Sequence, residues 1–368
     1  MQHLPIASII QALENFAPPS YQESYDNCGL ITGSAGWACT GVLCTLDATE
    51  AVVLEAVANG CNMVVAHHPI VFGGLKKING KNYVEQAIIT AIKNDIAIYA
   101  IHTNADNVLL GVNNAIANAL GLVNTQILSP KTNLLAKLIT YIPIAHVEQV
   151  RKALFDAGIG IMGNYSEVSF SAEGTGTYKA NEAANPFIGD KGQRHEEQER
   201  KLEMIFPAYM QKQVVKVLIA AHPYEEVAYD IIPLANEHKQ VGSGMVGHLP
   251  EEMPELDFLA HIKKAFGLQA IRHTPLLGKN VSKVAICGGA GSFLIGKAIA
   301  VDADFYITAD VKYHEFFDAE NKLVIADIGH WESEQYTVDL LIGILQPKFP
   351  TFAVLKSGVV TNPVHYFL

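Results

Sequence analysis

Met63-Val64-Val65-Ala66-His67-His68-Pro69 is the stretch on which the reading of this chain turns. The apolar run reads as a buried strand, and buried strands seldom end on two imidazoles without a use for them. Two further apolar runs share the pattern. Ile96-Ala97-Ile98-Tyr99-Ala100-Ile101 stops at His102, with Asp106 at i+4; Leu323-Val324-Ile325-Ala326 leads to His330, with Glu334 at i+4. In open α/β sheets, ligand and catalytic groups collect at the C-terminal edge of the strands, which is where all three runs deliver histidine.

Working outward, apolar residues at Ile6, Ile9, Ile10, Leu13 and Phe16 give a helical period over 6–16, ended by Pro18-Pro19. A strand over 42–46, a helix over 50–58, the strand at 63–66, a helix near 84–93, the strand at 96–101 and a helix near 112–120 follow. This alternation argues for a layered α/β domain. The middle differs. Lys137–Pro143 is echoed by Lys201–Pro207, each run leading to a helix-like segment (146–157 and 209–220) and then to an extended run (167–170 and 227–232). Two such units in tandem suggest a ferredoxin-like module; the competing reading is a chance echo of two amphipathic units. The Gly-, Asn- and charge-rich stretch 172–199 between them reads as a long loop. After Gly242-Ser243-Gly244 the alternation resumes: a helix over 256–266, strands at 284–287, 304–308 and 322–326, and a helix over about 332–345. The expectation is an α/β metal-binding domain in two pieces, 1–130 and 241–368, split by an α+β insert at 131–240. Two independent flanking domains are the alternative.

Bulk properties narrow the function. The 368 residues suit two or three domains. With 49% apolar and 17% charged residues the composition is globular. A formal charge of -11 and the lack of basic runs argue against a nucleic-acid face. The first residues lack the layout of a secretory signal, and no run of about 18 apolar residues marks a membrane span. Five scattered cysteines without a C-x-x-C pair fit a reducing cytoplasm.

Imidazoles and carboxylates together suit Zn, Fe or Mn, and the absence of a thiolate from the set argues against a structural zinc finger. Neighbouring strand residues point to opposite faces, so His67 and His68 diverge unless Pro69 turns the chain. Divergent neighbours can serve two ions with a carboxylate bridging them, as in two-metal hydrolytic sites. His330 and Glu334 share a face if a helix starts by 330. His102 and Asp106 have the same spacing, but Asn104 and Asn107 make a loop an equal alternative. Against all of this stands the ordinary buried histidine, hydrogen-bonded within a core.

Three weaker features remain. Cys287-Gly288-Gly289-Ala290-Gly291-Ser292 joins a strand to a helix; Gly288, Gly289 and Gly291 could approach a phosphate, or simply form a tight turn, since neither dinucleotide nor P-loop spacing is met. His314, in Tyr313-His314-Glu315, is a candidate general acid or base, or a solvated surface residue. His222-Pro223-Tyr224-Glu225-Glu226 reads as a helix-to-strand turn.

The His67-His68-Pro69 step, His102-Thr103-Asn104-Ala105-Asp106 and Gly329-His330-Trp331-Glu332-Ser333-Glu334 together resemble the type 2 GTP cyclohydrolase homologues, also called NGG-interacting-factor-3-like proteins. Tyr25–Leu30 and Thr45–Thr49 resemble that family's N-terminal segments, and Gly163–Glu167 and His222–Glu226 its inserted module. The resemblance implies two divalent ions per chain held by His67, His68, Asp106, His330 and Glu334, with His102 in the second shell or as an alternative ligand. It also implies a PII-like or CutA-like insert and a toroidal homohexamer. The function it implies is hydrolytic opening of the guanine imidazole ring of GTP at C8 by an activated water, with release of formate. In that picture His314 or Glu315 moves protons and the three glycines meet the phosphates. A non-catalytic metal-binding or metal-delivery protein with a sensor-like insert is the alternative.

Overall fold

The computed structural model describes residues 4–367. The chain forms two compact units: one from the residues up to Ser129 together with those from Gln240 onward, the other from Pro130–Lys239.

The larger unit is mixed α/β with two sheets. The five-stranded sheet runs Gly29–Thr32, Ala97–Ala100, Met63–His68, Val42–Asp47, Val354–Lys356. Its inner pairings are parallel, with Ala66 opposite Ala100 and Asp47 opposite His68. Only the first strand is antiparallel to its neighbour. Central parallel strands are covered on both faces and so are apolar throughout; in Met63–His68 every residue but His68 is buried. Helices Glu50–Ala58 and Tyr83–Lys93 cover this sheet through Val52, Val53, Ala56, Ala87, Ile88 and Ala91. Each begins with a side-chain cap: Thr49 accepts from the Val52 amide and Asn82 from the Glu85 amide.

The six-stranded sheet runs Arg272–His273, Val324–Asp327, Phe305–Ala309, Asn280–Ala290, His238–Pro254, Val123–Lys131. The three strands from Val324–Asp327 to Asn280–Ala290 are parallel, so their C-terminal ends share one edge. The two sheets trade edge strands across the gap in sequence. Val123–Lys131, from the first segment, completes the second sheet, and Val354–Lys356 pairs in parallel with Val42–Cys44 in the first.

The smaller unit has the element order βαββαβ: Leu135–Pro143, Val147–Asp156, Phe170–Lys179, Arg194–Pro207, Gln211–Ala221, Tyr229–Leu234. Its sheet order is Phe170–Lys179, Arg194–Pro207, Leu135–Pro143, Tyr229–Leu234. Leu138, Ile142, Leu154, Leu202, Phe206 and Leu218 lie in its core.

The structure corrects two expectations. Half of the stretch read as a loop over 172–199 lies in the two strands of an antiparallel hairpin, paired from Phe170 opposite Glu203 to Lys179 opposite Arg194, and residues 180–193 connect them. Its glycines and charges sit largely on exposed positions, and an open sheet face needs no apolar alternation there. The helix over 332–345 is two helices, His330–Glu334 and Thr337–Leu345. No helix among the described residues is long and apolar enough to cross a membrane, and the five cysteines are all free.

Ser129 and Gln240 lie on neighbouring strands of one sheet, so a short Gly/Ser linker between them should leave the larger unit folded. Circular dichroism and a cooperative thermal melt of that deletion variant check this; a soluble but unfolded product would show that the larger unit depends on the smaller one.

Candidate metal centre

Both parallel edges contribute to one site in the larger unit. His67 and His68 end Met63–His68. His102 follows Ala97–Ala100 and caps the short helix Thr103–Asp106, which settles the loop-or-helix alternative for Asp106. From the other sheet, Gly329 takes a left-handed φ of 89° and starts the helix His330–Glu334. A Cβ at Gly329 would lie 2.3 Å from the Glu332 carboxylate, so glycine is required at this turn.

Each imidazole has one ring nitrogen fixed by an acceptor. His67 Nδ1 donates to the Ile101 carbonyl at 2.9 Å. His68 Nδ1 meets Asp47 Oδ1 at 2.9 Å, His102 Nδ1 meets Asp26 Oδ1 at 2.9 Å, and His330 Nδ1 meets Asp310 Oδ2 at 2.6 Å. A hydrogen bond at Nδ1 sets the tautomer and leaves Nε2 as the lone pair for a cation, an arrangement typical of metal-bound histidine. The Nε2 atoms of His67, His68 and His330 turn toward Asp106 and Glu334. His67 Nε2 lies 3.6 Å from Asp106 Oδ1 and 3.8 Å from Glu334 Oε1; Glu334 Oε2 lies 3.0 Å from His68 Nε2 and 3.3 Å from His330 Nε2.

Three of these atoms, His67 Nε2, Asp106 Oδ1 and Glu334 Oε2, are buried and make no hydrogen bond. Around Glu334 the ring nitrogens stand at ion-pair distance without hydrogen-bond geometry. Buried polar atoms are normally satisfied, so three orphans converging on one place need a common partner. The ligand atoms fall into three compact groups: His67, Asp106, Glu334; His68, His330, Glu334; and His67, His68, His102, each within 4.8 Å. Glu334 belongs to the first two, and the adjacent histidines are divided between them.

The charge state of the cluster is consistent with a site built for cations. Burial disfavours a charged His68, but the neighbouring Asp47 and Glu334 carboxylates prevail and raise it to about 10. His330 rises to about 9, where Glu334 and Asp310 outweigh burial. Burial pushes the Asp106 carboxyl up. Glu334 is held well below the usual range because the surrounding His330, His67 and His68 rings outweigh its burial. Asp26 is also held low against its burial, by His102 and Thr103.

The centre opens into a cavity of about 790 Å³. Tyr25, Phe72, Trp331 and Tyr366 supply aromatic wall. Seven carboxylates line it (Glu23, Asp47, Asp106, Asp310, Asp327, Glu332 and Glu334), and apart from the imidazoles of His68, His102 and His330 the one basic side chain in the lining is Arg272. Arg272 is itself engaged with Asp327 at 3.0 Å and the Val311 carbonyl at 2.8 Å.

The glycine run has another use than phosphate contact. The Gly288 amide donates to Asn113 Oδ1 and the Gly289 amide to Ser333 Oγ. Gly289 has a φ of +60°, and a Cβ there would lie 2.5 Å from Glu334 Oε1; one at Gly291 would lie 2.4 Å from Thr308 Oγ1. These glycines permit close approach of a strand to the cluster, and the amides of Gly288 and Gly289 are already committed. His314 is exposed and packs against Tyr313 and Phe317, while Glu315 caps its own helix through the Lys312 amide; neither lines the cavity. The sequence reading assigned no role to Asp26, Asp47 and Asp310. Asp47 and Asp310 stand at or just past strand ends beside the histidine strands, a position that could have marked them. Asp310 also adopts a φ of 56°, which Asp tolerates better than most residues.

A model of the Duf34/NIF3 (NGG1p interacting factor 3) family matches residues 4–363. The chain is 39% identical over 361 residues to a protein of Halalkalibacterium halodurans named GTP cyclohydrolase 1 type 2 homolog, covering 97% of each chain. A Bacillus subtilis protein of the same name is 39% identical, covering 88% of this chain and 87% of the relative. The crystal structure of a Bacillus cereus protein related to NIF3 superposes over the full length of both chains, with a TM-score of 0.88 and 38% identity.

Without metal, the protonated His68 ring lies between the Asp47 and Glu334 carboxylates, and its value is raised from 6.5 to about 10. The stabilisation is complete below pH of about 6.5 and is lost as pH rises through about 10. Chelator-treated protein should therefore lose stability between those limits, and His68→Ala should flatten the loss. Urea midpoints across the range check it; equal slopes in both proteins would contradict it.

Proposed function

The chain belongs to the Duf34/NIF3 family, and within it we propose a dinuclear-metal-dependent hydrolase of the GTP cyclohydrolase kind for which its relatives are named. The observation carrying this reading is the set of three buried acceptors without hydrogen bonds, His67 Nε2, Asp106 Oδ1 and Glu334 Oε2. A divalent cation is the partner that satisfies all three. His67, Asp106 and Glu334 would hold one ion; His68, His330 and the shared Glu334 would hold the second; His102 stands beside His67 and His68 as a further ligand. The N/O donor set suits Zn, Fe or Mn. Two bound divalent ions supply Lewis acidity and an activated water for hydrolysis.

The chain's own residues do the positioning. The Ile101 carbonyl, Asp47, Asp26 and Asp310 lock the four rings in orientation. Tyr25, Phe72 and Trp331 offer planar faces to a flat ring such as guanine. We assign no proton-transfer step to His314 or Glu315. The smaller unit is read as a ferredoxin-like, PII/CutA-like insert on its βαββαβ order. A cytoplasmic homohexamer completes the proposal, by family resemblance.

One observation favours a second reading, a protein that holds or delivers metal without turnover. Seven carboxylates and one engaged arginine make a wall that repels a triphosphate unless bound metal offsets the charge.

Elemental analysis of protein purified without chelator should give about two divalent ions per chain. Asp106→Ala and Glu334→Ala should lower that content more than they lower the melting temperature. Metal-loaded protein should release formate from GTP, and His68→Ala should reduce this at least about a hundredfold. Metal content unchanged in both acidic variants would remove the metal assignment. Full metal content with no turnover of any nucleotide would leave the metal-holding reading in place of the hydrolase.

A further inference from the structure

The smaller unit has a cavity of its own, about 640 Å³, along the hairpin of Phe170–Lys179 and Arg194–Pro207. That volume lies in the range of small-molecule pockets. Four aromatic side chains line it, Tyr141, Tyr178, Phe187 and Tyr224, and the last three stand next to one another. Tyr224 is the middle ring, with centroids 6.0 Å from Tyr178 and 6.4 Å from Phe187. Both hydroxyls are committed, Tyr178 to the Ile188 carbonyl at 2.7 Å and Tyr224 to Glu199 Oε1 at 2.9 Å.

Glu199 is the unusual member. It is 8% exposed, lines the cavity, and forms no ion pair among the described residues. Three nearby basic groups pair elsewhere, Arg200 with Glu173, Lys201 with Glu203 and His195 with Glu197; Lys179 also lines the cavity but forms no ion pair with Glu199. Space has been left for this carboxylate, since a Cβ at Gly176 on the neighbouring strand would lie 2.2 Å from Glu199 Oε2. Strand glycine often marks such a close approach. Burying a carboxylate without a counter-charge is costly, and one tyrosine hydroxyl offsets only part of that cost.

We propose that this cavity binds a small organic cation, an alkylated or quaternary ammonium, with its charge against Glu199 and its alkyl groups against Tyr178, Phe187 and Tyr224. Aromatic faces attract such cations, and this is how quaternary ammonium groups are commonly recognised. A metal ion is the poorer occupant because ring faces give it no lone pairs and, among the described residues, no three His, Cys, Asp or Glu side chains of this unit gather within ligating distance of one another. An anion is opposed by Glu173, Glu199, Glu225 and Glu226, against Lys179 and Lys201. The site lies wholly within the smaller unit and does not rest on the metal reading.

Calorimetric titration of the full chain with choline and with 3,3-dimethylbutanol, its neutral isostere, tests the proposal. Choline should bind saturably, and the neutral isostere at least about tenfold more weakly. Glu199→Gln and Phe187→Ala should each weaken choline at least about tenfold, while His68→Ala should leave it unchanged. Phe187 is 51% exposed, so its variant remains informative if Glu199→Gln fails to fold. Equal affinity for the two probes, choline binding unaffected by the folded variants, or no saturable binding of choline, tetramethylammonium or butylammonium up to about 10 mM would overturn it.

Discussion

The hydrogen bond from His67 Nδ1 to the Ile101 carbonyl is the contact on which the centre depends. It requires Met63–His68 and Ala97–Ala100 to be parallel neighbours in one register, with the Ile101 amide bonded back to Ala66. Given that register, a fully buried imidazole has one orientation, and its remaining lone pair faces Asp106 and Glu334. Asp47 and Asp310 do the same for rings nearer the cavity, where no backbone carbonyl is in reach and a carboxylate takes its place. The outcome is a set of donors held by backbone pairing and by short acidic side chains, which restricts them to a narrow range of positions.

Electrostatics follow from that arrangement. The orienting aspartates and the two central acids accumulate negative charge at one sheet edge, and protons are the only cations the chain itself can recruit. His68 and His330 are accordingly raised, Asp26 and Glu334 lowered. A divalent ion would displace those protons, so ion capture and proton release are linked. The same acidity sets a condition on any substrate: a polyanion gains access only to a centre already carrying its positive charge.

Much of this was legible in the chain because periodicity and chemistry coincide there. The runs before His67, His102 and His330 are apolar enough to be read as central parallel strands, and their ends mark an edge. The i+4 partners of His102 and His330 were found for the same reason. What stayed hidden depends on tertiary partners. Asp26, Asp47 and Asp310 carry no periodic signal, since their roles exist only once a ring from another strand arrives. The hairpin strands over 172–179 and 194–199 read as loop because an exposed, glycine-bearing edge lacks apolar alternation. Gly288 and Gly289 suggested a phosphate cradle because a glycine run looks the same whether it approaches a ligand or a carboxylate of its own chain. The edge strands Val123–Lys131 and Val354–Lys356 offered no local cue, because each joins a sheet built mainly from the other end of the sequence.

That interleaving has a consequence for biosynthesis. A sheet whose outermost strand is residues 354–356 stays incomplete until almost the whole chain has left the ribosome, and His330, which meets His68, is made 262 positions after it, with Glu334 later still. The smaller unit, contiguous from Pro130 to Lys239, carries all of its pairing partners and can form while the rest is still emerging. The early segment, with His67, His68 and His102 already translated, must meanwhile wait with an open sheet edge and three imidazoles exposed. During that interval it is open to chaperones, to strand pairing with other nascent chains, and to capture of the wrong ion.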